Sequence, residues 1–141
     1  MTVRIICSRL ALLALLSIVG FGAALEAQAV VPANPTGHFG RLAYHKESGD
    51  VVGLEVFIMK GRSGYVAVVQ IAEGVPEDPV VVPVTIANAV ISFQLGSGKE
   101  RLRYLGAIQS DGLYGKFDNG AFSERDDGLF LLRRGLSYWE R

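Results

Sequence analysis

Two histidines, His38 and His45, stand seven positions apart beside the first β-rich segment. An odd spacing turns side chains to opposite faces of a regular strand. The one cysteine, Cys7, is remote, so no third ligand of the usual zinc type is at hand. Both histidines are expected at the surface or rim, and no metal is expected. No serine occupies a G-x-S-x-G setting, which argues against a nucleophile elbow. The acids Glu47, Asp50, Glu73, Glu77, Asp78, Glu124, Asp126 and Asp127 cluster in turn-like stretches, where carboxylates serve solubility and local hydrogen bonds. Asp118-Asn119-Gly120 and Arg125-Asp126-Asp127-Gly128 look like fragments of a calcium loop, but the alternating oxygen ligands are missing. Arg101 with Arg103, and Arg133 with Arg134, offer positive charge that neighbouring acids dilute. Nothing sets a base against a nucleophile, so the expectation is no enzyme, no catalytic residue and no cofactor.

The elements that must position any site follow from composition. The chain has 141 residues, 14 basic and 14 acidic, and half are hydrophobic. That is one domain's length. The charge balance gives no case for nucleic acid or an anionic membrane surface. Arg4 and Arg9 precede an apolar run, Leu10 to Leu25, that ends at Ala27-Gln28-Ala29. A basic start, an apolar middle and small residues at the end describe a secretory signal peptide cut after Ala29. The run is shorter than the roughly 20 residues that span a bilayer. Residues 1–29 are thus expected as leader, 30–36 as lead-in and 37–141 as one domain. Removing Arg4, Arg9 and Glu26 leaves the charge near zero, and Cys7 leaves with the leader. Without disulfides, an exported chain is held by packing alone.

After residue 36 no window carries helical apolar spacing over ten or more residues. Short Val/Ile/Phe/Tyr-rich runs alternate with Gly, Asp, Asn and Ser. They predict eight strands: 37–45, 51–60, 65–72, 80–86, 89–95, 100–109, 113–118 and 129–134. Asp111-Gly112 predicts a two-residue turn pairing Ile108 with Gly115 and Gly106 with Phe117. A turn at Ser97-Gly98 pairs Phe93 with Leu102 and Ile91 with Tyr104. One at Ala87-Asn88 pairs Val84 with Ile91 and Val82 with Phe93. Each register puts its apolar residues on one face, as an antiparallel meander requires. Pro83 falls on the outward parity, at a bulge or a gap in pairing. Gly53, Gly106 and Gly115 mark places for sharp coiling. Closure removes both edges, so a small up-and-down barrel is favoured over a flattened two-sheet sandwich.

The hairpin turning at Arg62-Ser63 pairs Leu54, Val56 and Ile58 with Ile71, Val69 and Ala67 on the inner face. Its outer face sets Met59 against Val66 and Phe57 against Val68, with Glu55 meeting Gln70 at the rim. Such an outer face is too apolar for water. Three covers compete: the tail Tyr138-Trp139 folded back, a second copy of the chain, or another protein or a lipid. Phe57, Met59, Val66, Val68, Glu55 and Trp139 are therefore candidate surface residues. Tyr104 joins them as a hydroxyl at a barrel mouth.

Gly37-His38-Phe39 on the first strand, an eight-strand meander and an arginine closing the last strand resemble the calycin arrangement of lipocalins and avidins. Small exported bacterial proteins ending in Leu-x-Arg and Tyr-Trp look similar too. The resemblance implies that Phe39 fills the closed barrel end, with Arg133 or Arg134 laid over it. It departs from that family in carrying phenylalanine for tryptophan and in lacking disulfides and the middle turn motif. The expected inner residues are large and apolar and the strands short, which favours filling by side chains over one small ligand. The functional expectation is an exported, non-enzymatic binding module, periplasmic or secreted, taking a small apolar or amphiphilic molecule or a protein. The alternative is a protease-inhibitor-like or assembly protein acting through the outer apolar face. No nucleic acid and no membrane span after cleavage are expected.

Overall fold

The computed structural model describes residues 33–141; the expected leader and the start of the lead-in lie outside them. The strands are β1 (Gly37–Gly40), β2 (Ala43–His45), β3 (Asp50–Gly61), β4 (Gly64–Gly74), β5 (Val80–Ala87), β6 (Val90–Leu95), β7 (Leu102–Ile108), β8 (Gly112–Phe117) and β9 (Phe130–Arg134). From β3 to β9 each pairs antiparallel with the next, and β1 pairs with both β9 and β3. The sheet therefore closes as an eight-strand up-and-down barrel and not as a sandwich. Among the described residues no helix is long and apolar enough to cross a membrane.

The first expected strand is two strands. At the break the Arg41 N–H donates to Leu54 O at 2.8 Å. Gly53 faces it with φ +125°, and a Cβ there would collide with the Arg41 carbonyl. Only glycine tolerates both the angle and the approach. Beyond the kink β2 pairs with β3 alone and forms a hairpin outside the ring. One barrel end carries the tight turns near residues 62–63, 88–89 and 110–111; the other carries the longer loops 46–49, 75–79, 96–101 and 118–129.

The β3–β4 register is the expected one, with Ile58 opposite Ala67 and Phe57 opposite Val68. Three other hairpins sit two residues away from expectation. Ile86 faces Ile91 because the turn uses Asn88 and Ala89, at φ 51° and 62°. Phe93 faces Tyr104 because a 3-10 turn, Gly98–Glu100, lengthens the β6–β7 loop. Gly106 faces Gly115 because the loop is Ser110–Asp111, closed by two bonds between Gln109 and Gly112. Gly112 is not a positive-φ turn residue; a Cβ there would strike the Leu132 carbonyl of β9. A slip of two preserves side-chain parity, so every inner residue still points inward. Pro83 is exposed, and pairing with β6 begins only at the next residue, Val84.

The interior is filled. Tyr104, Phe39, Phe117, Leu54, Ile58, Ile91, Leu113 and Leu132 are all fully buried. Phe93 stacks on Tyr104 at 4.9 Å between centroids, and Phe117 and Phe130 lie 5.5 and 5.9 Å from it. Gly106 and Gly115 make the room: a Cβ on either would lie 2.7 Å from Tyr104 Oη. Gly115→Ala should therefore cost about 1–3 kcal/mol, as overpacked cores do. Urea unfolding would show it as a lowered midpoint with little change in slope.

Candidate functional site

Among the described residues, polar and apolar groups meet in three places that bear on the expected sites. At the tight-turn end Phe39 is completely buried, and the Arg134 guanidinium lies 4.5 Å from its ring centroid. Arg134 Nη1 donates to Thr36 O at 2.8 Å and Nη2 donates to Asn34 O. The guanidinium thus ties the lead-in to β9 while stacking on the ring. The neighbouring Arg133 is exposed and points away from this arrangement, as strand alternation demands.

The second place is the outer face of β3 and β4. A 3-10 turn, Tyr138–Glu140, folds back across β1. Ser137 Oγ donates to Glu55 Oε2 at 3.0 Å, the Tyr138 N–H to Glu55 Oε1 at 2.9 Å, and Trp139 Nε1 to Gln70 Oε1 at 2.8 Å. Ser137 and Glu140 form a capping box that closes the turn. Glu55 is opposite Gln70 as expected, but it is buried under the tail at 7% exposure and is not a surface group. The tail's bonds land on the Glu55–Gln70 row. The next two rows run His38–Phe57–Val68–Val81 and Met59–Val66–Pro83 across β1, β3, β4 and β5. His38 covers part of this patch by stacking on Phe57 at 4.2 Å. Val81 is 68% and Trp139 58% exposed, so an apolar surface remains.

Tyr104 faces inward, as its place on the apolar face of the meander predicts, but it is not at a mouth: its ring is in the core and, among the described residues, its hydroxyl has no hydrogen-bond partner. Burial pushes its phenol well above the ordinary value, so it stays protonated.

The third place is a cleft of about 380 Å³ at the long-loop end, which the spacing of residues did not reveal. Leu54, Phe130 and Leu132 form its apolar floor, Ala43, His45 and Val52 one wall, and Phe122, Ser123 and Glu124 the other. Arg41 reaches across: Nη1 donates to Phe122 O at 3.1 Å and Nη2 to Glu124 Oε1 at 2.9 Å. The kink before β2 aims Arg41 there, so Gly53 inside a strand was the one available signal. Phe122 has φ +64°, a rare conformation for a bulky residue. Behind it the Ser123 hydroxyl donates to Leu129 O at 3.0 Å. Two bonds, of 3.0 and 2.8 Å, join Arg125 to Asp127. That pairing, then the Leu129 N–H, holds the Asp127 carboxyl down at about 2, and the same bond raises Arg125. The depressed acid stays ionised and paired through the ordinary carboxylate range and loses the pairing as pH falls through about 2. His38 and His45 are on different elements, and among the described residues no three His, Cys, Asp or Glu side chains converge as a metal site.

The fold and its filled, arginine-capped end define an eight-strand antiparallel barrel consistent with a calycin-like arrangement. No family model, curated protein or solved structure matches this chain.

Replacing Glu55 with alanine strips acceptors from the Ser137 hydroxyl and the Tyr138 N–H. A loss of about 1–3 kcal/mol is expected, with faster hydrogen exchange at the Tyr138 amide. An unchanged exchange rate would mean that Glu55 does not hold the tail.

Proposed function

We propose that this protein is an exported, non-enzymatic binding module that holds a small amphiphilic molecule in the long-loop cleft. The observation that carries the reading is the cleft itself. Its volume falls within the range of about 300–1,000 Å³ common to ligand pockets. Its floor is apolar and only a few polar groups, from Arg41, His45, Ser123 and Glu124, border it. The packed barrel interior favours this mouth as the place for a ligand. The leader-like residues Arg4 to Ala29 support export to a periplasm or medium.

Ala43 lines the cleft, is exposed and stands on β2 outside the ring, so Ala43→Trp should fill the cleft without unfolding the barrel. Native mass spectrometry of protein recovered from an envelope extract should show a co-purified small molecule on the wild type and none on this variant. A ligand-free wild type in that extract would sink the reading.

A second reading rests on the two outer rows. Phe57, Val68, Val81, Met59, Val66 and Pro83 are contiguous and uncharged, which suits association with a second copy of the chain. Sedimentation should then show a dimer that Val68→Thr with Val81→Thr dissolves, both substitutions keeping β-branched residues on their strands. A monomer at all accessible concentrations would remove this reading.

A further inference from the structure

Resting on the cleft as the binding site, we propose that its ligand carries a carboxylate head, and that Glu124 stands in for that head when the cleft is empty. Arg41 already binds a carboxylate at the cleft rim, through Nη2 and Glu124 Oε1 at 2.9 Å. The guanidinium fork matches a carboxylate with two parallel bonds, yet here its other arm goes to the Phe122 carbonyl. The occupant is loosely held: the Glu124 side chain is 89% and the Arg41 side chain 40% exposed. Exposed pairs of this kind add little to stability, so a ligand carboxylate exchanges with Glu124 at small cost.

The exchange has a mechanical result. A bidentate head group takes both Nη1 and Nη2 and frees the Phe122 carbonyl. Phe122 then has one contact fewer holding it in the left-handed region, where a residue of its size is strained. Its ring borders the cleft and leans on Phe117 at 5.6 Å between centroids. Release lets the ring swing back from the cleft wall and widens the way to the floor formed by Leu54, Phe130 and Leu132, where the ligand's chain is laid. The Ser123 hydroxyl, bonded to the Leu129 carbonyl, holds the loop behind the ring, so only the rim moves.

The test compares decanoate with decanol, which share a chain and differ in charge, by calorimetric titration of the full barrel. Decanoate should bind at least about tenfold tighter, the effect of one charge-assisted pair at a partly screened rim. Glu124→Gln should tighten decanoate several-fold and leave decanol unchanged, because it removes the competitor. Arg41→Gln should bring the two probes to the same affinity. Phe122→Gly, with the residue best suited to positive φ, should raise the association rate of decanoate. Equal affinity of the two probes for the wild type, or no gain in Glu124→Gln, overturns the carboxylate assignment while leaving amphiphile binding intact. An unchanged association rate in Phe122→Gly overturns the movement of the Phe122 ring. Binding of neither probe overturns the assignment and removes its basis in the cleft.

Discussion

A ring of strands closes only where its first member bonds to its last, and here that first member is four residues long. β1 bonds to β3 on one side and to β9 on the other, so Gly37–Gly40 carries the whole closure. Open edges on β3 and β9 would be templates for pairing with other chains. So short a seam calls for reinforcement, and two devices supply it. Arg134 joins β9 to the lead-in across the face of Phe39. The tail crosses β1 on the outside and anchors in Glu55 and Gln70. A buried carboxylate is costly when unpartnered, and two donors from the tail satisfy this one.

Filling decides where a ligand can go. Tyr104, Phe93, Phe117 and Phe130 occupy the middle of the barrel, and glycines on facing strands give way to the Tyr104 ring. That arrangement leaves one hydroxyl buried without a partner, an exception of the sort proteins keep few of. With the axis occupied, the cleft with the apolar floor lies where the chain leaves the ring: beside the kinked β2 hairpin and under the 118–129 loop. The packing that makes the barrel stable without disulfides also moves its candidate binding function to the rim.

Much of this was legible in the residues, and the misses have a common cause. Alternation is a local property, so inward and outward faces were readable from Val82 to Phe117, and a two-residue slip did not disturb them. Turn position is also local, but it depends on backbone angles that composition does not fix. Ala89 adopts positive φ in place of a more permissive residue, and Gly112 is there for the approach of β9. The outer apolar rows were visible because the β3–β4 turn was read correctly. Burial of Glu55 under Ser137 and the reach of Arg41 to Phe122 join positions more than eighty residues apart. No pattern within a segment announces such contacts. The arginine over Phe39 was accessible only through a likeness of layout.

The kinetic meaning of the seam follows from chain order. Arg134 meets Thr36 across 98 positions, and β1 and β9 are the first and last of the barrel's strands to leave a ribosome. The hairpins from β3 to β8 can zip locally, but the ring waits for the final strand. Distant pairings of this kind slow folding. The polypeptide therefore spends its synthesis as an incomplete curl with two free borders, and any machinery that handles it before completion meets a threadable chain and not a barrel.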